Sequence, residues 1–164
     1  MGWKDTLTEQ TKAAYKATEG LLALLTDDDL GWKPATGENW MTIGQLLEHL
    51  TESCGTLMRS FVTGEWNLPE GGMQAADKLP TIASLAEAKE RLIADKQAAF
   101  DTLADLTDDD LCDRKVSAPW DKEPLPLGHR LGFMAAHLES HRSQLFYYLK
   151  LLGKPVHTGH LWGM

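Results

Sequence analysis

Cysteine is nearly absent from this chain of 164 residues: Cys54 and Cys112 are the only two, they lie far apart, and they form no Cys-x-x-Cys pair. That scarcity argues against a disulfide framework and reads as reduced thiols in a cytoplasmic protein. Positive charge is short as well, with Lys+Arg 16 against Asp+Glu 24 and a formal net charge of -8. No basic stripe is present to neutralise phosphates, so no nucleic-acid partner is expected. Long apolar runs are missing: no window approaches ~18 uninterrupted apolar residues. Met1 leads into Gly2-Trp3-Lys4-Asp5 without a charged region followed by an apolar stretch. The expectation is an unexported protein with no membrane partner. Val and Ile are few beside Leu and Ala, which disfavours a sheet and favours an all-α chain. Also lacking are a Ser-His-Asp order, a Gly-rich phosphate loop and a His-Glu-x-x-His helix. Any chemistry must rest on something else.

What the sequence does contain is apolar residues at helical spacing, in four stretches running roughly Asp5 to Leu25, Thr42 to Thr63, Ile82 to Leu106 and Leu127 to Leu152. They predict a four-helix bundle in one domain spanning 1–164. Thr42 with Gln45 has the spacing of a capping box, in which side chain and backbone satisfy each other's free groups. Pro80-Thr81 precedes the third stretch, Pro124 and Pro126 precede the fourth, and Gly153-Lys154-Pro155 ends it. The connections 26–41, 64–81 and 107–126 are long for a bundle, where about 2–8 residues is usual. They carry Trp32, Trp40, Trp66 and Trp120, which either cover a bundle end beside a site or simply anchor the loops.

Two motifs repeat in the same order. Leu25-Thr26-Asp27-Asp28-Asp29-Leu30 matches Leu106-Thr107-Asp108-Asp109-Asp110-Leu111, and Ile43-Gly44-Gln45-Leu46-Leu47-Glu48-His49-Leu50 matches Leu131-Gly132-Phe133-Met134-Ala135-Ala136-His137-Leu138. The chain therefore reads as two related helical hairpins.

The second repeat ends in histidine both times, and its second copy adds His141 one turn after His137. At ~100° per residue, His49 lies on a polar flank with Thr42, Gln45, Ser53, Thr56 and Ser60, beside the stripe Ile43, Leu46, Leu50, Leu57 and Phe61. His137 and His141 share a flank with Arg130, Gln144 and Tyr148, beside Leu131, Leu138, Leu145, Leu149 and Leu152. Two flanks offset in the same sense can face each other across a groove. A lone His-x-x-x-His occurs by chance on many helices, but His49 at the repeat-equivalent position supplies a third imidazole. Three neutral imidazoles suit a first-row metal with one position left open for water or substrate. Ser53 stands where the other copy has His141, which leaves three histidines rather than four and makes Ser53 a candidate supporting partner. Glu52 is read as a solvated carboxylate, although it could serve as a base. His129 is expected to face solvent, and His157 and His160 to lie in the tail.

The motifs Leu30-Gly31-Trp32-Lys33-Pro34, Asn39-Trp40-Met41-Thr42-Ile43-Gly44-Gln45-Leu46-Leu47-Glu48-His49-Leu50 and His137-Leu138-Glu139-Ser140-His141-Arg142-Ser143-Gln144-Leu145 together resemble the DinB-like (YfiT-like) superfamily of metalloenzymes. The resemblance extends to Leu152-Gly153-Lys154-Pro155. It implies an up-and-down four-helix bundle of the less common hand, frequently a homodimer, holding a divalent metal such as zinc or nickel through His49, His137 and His141. Relatives include thiol-dependent enzymes such as bacillithiol transferases and mycothiol-dependent maleylpyruvate isomerase. The leading expectation is a metal-dependent thiol S-transferase, with a low-molecular-weight thiol attacking a small electrophile. A metal-dependent hydrolase and a non-catalytic metal-binding or stress-response dimer stand beside it.

Overall fold

Several helix starts in this protein are set by side chains that cap them, the expected box at Thr42 among them. In the computed structural model, which describes residues 2–67 and 75–164, the Gln45 amide N–H donates to Thr42 Oγ1 (3.2 Å) while Thr42 N–H donates to Gln45 Oε1 (2.8 Å). At the repeated acidic turns Thr107 and Asp110 close a reciprocal box, whereas at the other copy the Asp29 carboxylate accepts from Thr26 N–H (2.8 Å) but the Asp29 N–H donates to the Thr26 backbone carbonyl (3.0 Å). Gly153 adopts φ 82, the left-handed conformation that lets glycine end a helix.

The described residues are mostly helical, with α1 (Trp3–Leu22), α2 (Ile43–Leu50), α3 (Gly55–Thr63), α4 (Leu85–Ala104), α5 (Asp108–Asp113) and α6 (Leu127–Leu151). Short 3-10 turns occupy Asp27–Asp29, Ala76–Lys78 and Thr158–Trp162. Helices α1, α3, α4 and α6 enclose the core, and α2 packs against α6 and α4. Leu46, Leu50, Leu131, Leu138, Leu145 and Leu149 are fully buried, as their stripes predicted, whereas Leu57 and Leu152 are half-buried at its edge. No helix among the described residues is long and apolar enough to cross a membrane.

Two differences from the expected four helices have physical causes. The stretch 42–63 is two helices, because the chain turns at residues 51–54 and restarts at Gly55. A Cβ at Gly55 would lie 1.8 Å from the Asp95 carbonyl oxygen of α4, so only glycine permits this approach of α3 to α4. The connection 107–126 contains α5 and an antiparallel hairpin of β1 (Lys115–Ala118) and β2 (Asp121–Pro126), in which Val116 pairs with Leu125 and Ala118 with Asp121. Arg130 of α6 secures the hairpin, donating to Asp121 Oδ2 (2.9 Å) and to the Glu123 carbonyl. Part of the connection 64–81, residues 68–74, lies outside the described residues.

The loops clamp the start of α2. Gly44 N–H donates to the Leu30 carbonyl (2.8 Å), and the Gly44 carbonyl accepts from Ile82 N–H (3.2 Å). The Gln45 side-chain amide adds bonds to the carbonyls of Ala76 (2.7 Å) and Leu79 (3.1 Å). One turn later this clamped helix carries His49.

Candidate metal centre

The fold brings the two histidine flanks face to face. His49 Nε2 lies 3.2 Å from His137 Nε2 and 3.0 Å from His141 Nε2, and the last two are 3.0 Å apart. This is the one cluster of three or more His, Cys, Asp or Glu among the described residues that could hold an ion. Metal–nitrogen bonds of ~2.0–2.1 Å at angles of about 90–110° require nitrogens about 2.9–3.4 Å apart. The donor triangle fits a single first-row ion.

Hydrogen bonding on the far side of each α6 ring decides which nitrogen is free. His137 Nδ1 lies 3.2 Å from the Ser53 carbonyl, which can only accept, so Nδ1 carries the proton. For His141 the direction is fixed from further out. Tyr148 donates its hydroxyl proton to the Met41 carbonyl (3.2 Å), and the Gln144 amide nitrogen donates to the Tyr148 oxygen (3.2 Å). Gln144 Oε1 therefore faces His141 Nδ1 (3.2 Å) and accepts its proton. Both Nε2 atoms are left as lone pairs aimed at each other, an arrangement that a shared cation relieves. Trp32 and Trp40 meet the Tyr148 ring edge-on at 5.6 Å and 6.0 Å, so two of the loop indoles pack on the residue that anchors the Gln144 chain. Trp66 and Trp120 instead pack with Phe61.

Electrostatics keep the imidazoles neutral. Desolvation, followed by the neighbouring rings of His141 and His137, pushes His49 down to about 4 from its ordinary value. His49 is exposed over the residue as a whole, but its Nε2 faces the other two rings. His137 and His141, both half-buried, are lowered chiefly by desolvation. At neutral pH all three imidazoles are therefore neutral, each with one nitrogen lone pair to offer.

The other sequence candidates fall elsewhere. Glu52 faces Arg91 of α4 (3.4 Å) and remains largely exposed, the solvated carboxylate that was expected. His129 is exposed on an open cleft of about 570 Å3, lined also by Trp3, Cys112, Gly132, Phe133 and Ala136, that includes none of the three histidines. His157 and His160 bond within the tail turn: the His157 backbone N–H donates to His160 Nδ1 (3.1 Å). The flank drawn through His49, Ser53, Thr56 and Ser60 is split by the chain break, which turns Thr56 to Asp95 and buries Ser60. Ser53 does support the site, through its backbone carbonyl, while its hydroxyl donates back to the Leu50 carbonyl (3.1 Å).

Sequence reasoning passed over Asp95 and Tyr15, which hold that break. Asp95 Oδ1 accepts from Thr56 N–H (2.7 Å) and Thr56 Oγ1 (2.8 Å), and Oδ2 from Tyr15 (2.7 Å) and Gly55 N–H (3.1 Å). The signal was available: Asp95 occupies a core position of α4 among buried Ala88, Leu92, Ala99 and Leu103, and a charged group survives there only with partners.

No curated protein matches this chain. Solved structures with the same fold include a conserved protein from Enterococcus faecalis, 19% identical, with a TM-score of 0.73 over 94% of this chain and 99% of that one. A DinB-like protein from Bacillus subtilis is 17% identical with a TM-score of 0.69, covering 92% of this chain and 94% of its own. Another from Bacillus cereus is 22% identical with a TM-score of 0.64, covering 94% and 93%. The family model for the DinB superfamily matches residues 10–145, and the chain belongs to that superfamily.

Proposed function

We propose that His49, His137 and His141 hold one divalent metal ion, zinc or nickel, and that the protein is a metal-dependent thiol S-transferase acting on small electrophiles. The observation that carries this reading is the convergence of three neutral imidazoles, two with tautomers fixed so that Nε2 faces a common centre. When bound, the metal supplies Lewis acidity that lowers the pKa of a thiol or water at its open position. The protein's own residues orient the ligands, through the Ser53 carbonyl for His137 and the Gln144–Tyr148–Met41 chain for His141.

A thiol is favoured over water because a thiol begins near pKa ~8.5 and needs little further help. Activation of water gains from a nearby base, and Glu52 is directed to Arg91 instead. The chain's own thiols do not fill the role. Cys54 is buried, and desolvation followed by the Asp95 charge pushes it up to about 12, while Cys112 lies on the cleft away from the histidines. The incoming thiol is therefore a small molecule.

Within this reading α2 and α3 form one arm, giving an up-and-down bundle of four arms arranged as two hairpins. The partner assigned to the exposed apolar side of α6, where Phe133, Tyr147 and Leu151 stand in solvent, is a second copy of the chain. Sedimentation of wild type and F133E tests it, with a dimer expected for the first and a monomer for the second.

Elemental analysis of untagged protein tests the main reading. Stoichiometric metal in wild type, absent from H49A and H137A, is the expected result, followed by thiol-dependent turnover in a panel of electrophiles. Wild type that neither carries nor takes up zinc or nickel overturns the metal reading. Metal without thiol-dependent turnover leaves a hydrolase or a non-catalytic metal protein.

A further inference from the structure

We propose that Asp95 is a positioning residue for His137: with Tyr15 it holds open the chain break at residues 51–54, so that the Ser53 carbonyl is free to accept the His137 Nδ1 proton. The effect on metal binding rests on the metal reading above, but the effect on the imidazole does not.

Asp95 sits on α4, where it touches none of the three histidines, and it is 3% exposed. Its two oxygens take four donors, from the Gly55 and Thr56 backbone N–H groups and the Thr56 and Tyr15 hydroxyls. These amides are the first two of α3, which otherwise lack partners and carry the positive end of the helix dipole. The carboxylate thus starts a new helix at a point where the sequence could continue the old one. Tyr15 reinforces the junction, since its oxygen also lies 3.1 Å from Gly55 N–H.

Starting α3 at Gly55 makes Cys54 the residue whose carbonyl takes the first bond of the new helix, from Met58 N–H (2.8 Å). The Ser53 carbonyl is left out of the ladder and points to His137 instead (3.2 Å). In a continuous helix that carbonyl would be occupied by the amide four residues on. His137 would then lose the partner that holds its proton on Nδ1. A carbonyl bonded to the distal nitrogen of a metal-binding histidine sets both tautomer and ring orientation, and losing such a partner costs about 10–100-fold in metal affinity.

D95N and Y15F test the proposal. Asparagine keeps the shape of Asp95 but turns an amide donor toward groups that are themselves donors, whereas phenylalanine removes one partner from the carboxylate. The control is L92A, one turn earlier on α4, which opens the same core while leaving every hydrogen bond at the break in place. Nitrogen-15 correlation spectra of the metal-free proteins read the His137 tautomer, and competition with a chromophoric chelator reads zinc affinity.

The expected result is a mixed His137 tautomer and a zinc affinity lowered about 10-fold or more in D95N. Y15F shows a smaller change in the same direction, and L92A, though less thermostable, changes neither. Wild-type tautomer and affinity in D95N and Y15F overturn the proposal, as does an equal loss in L92A. If D95N fails to fold, Y15F decides by the same readouts. Should wild type bind no zinc, the metal reading fails while the tautomer comparison still decides whether Asp95 positions His137.

Discussion

The two copies of the histidine repeat begin alike and end differently. After His49 the chain breaks at residues 51–54 and α3 starts afresh, whereas after His137 the helix α6 runs unbroken to Leu151. The unbroken copy supplies two imidazoles one turn apart, because nothing interrupts the face that carries them. The broken copy supplies one imidazole and, from Ser53, at the position matching His141, a backbone carbonyl. That carbonyl holds the ring of His137 on the other copy. The difference teaches that two similar segments can supply an imidazole in one copy and a supporting carbonyl in the other, since a helix interrupted by a cap frees a carbonyl that a continuous helix keeps.

The comparison is broken most completely by removing an imidazole from either arm. H49A in the broken copy and H137A or H141A in the unbroken one should each lower zinc affinity beyond the ~10–100-fold typical of losing a supporting partner, as measured by chelator competition. If one arm's histidine proves dispensable, the three do not act as a unit.

The glycines sharpen the contrast with opposite signs. G55A drives a methyl into the α4 backbone and should destabilise the protein by about 3 kcal/mol, the upper end of typical overpacking costs. At Gly132 of α6 an added Cβ meets nothing within 4 Å. G132A should therefore stabilise by about 0.8–1.0 kcal/mol, the helix-propensity difference. Urea unfolding of the metal-free proteins reads both, and a destabilising G132A would mean that the cleft beside it is filled by a partner.

Acid acts on the histidines of both arms at once. The folded state holds His49 neutral down to about 4, whereas an unfolded imidazole takes up its proton near pH ~6.5. Between these values the unfolded chain binds more protons, so the stability of the metal-free protein should fall as pH drops from about 6.5 to 4. His137 and His141, also lowered, add to the same slope. H49A should flatten it in a pH series of thermal melts, and an unchanged slope would place the titration elsewhere.

The smallest effect concerns the outermost support. Y148F removes the bond that fixes the Gln144 amide, so the His141 tautomer should loosen with a loss of zinc affinity below the ~10-fold lower bound for a direct partner. Q144A, which removes the direct partner of His141, should cost more. Equal affinities for the two variants would show that the chain to the Met41 carbonyl does not set the tautomer.

The sequence by itself determined the helical class, the repeated acidic turns after Thr26 and Thr107, the box at Thr42, the stop at Gly153 and the three histidines. All of these follow from local rules: period, cap spacing, and residues three or four apart sharing a face. The resemblance carried by its histidine motifs is borne out at the level of the superfamily. The hairpin after α5 stayed hidden because it is short and mostly exposed, so its pattern of burial is weak. The break in the second stretch was equally hidden, because Ser53-Cys54-Gly55 continues a helical pattern that no local signal forbids outright. What ends the helix is Asp95, a residue 40 positions away from Gly55. Only the tertiary structure decides that the carboxylate and Tyr15 meet the new helix start, that the Ser53 carbonyl is thereby released, and that two separate helices aim their imidazoles at one point. Each of these is a contact between distant segments, and periodicity holds no information about distance across the fold.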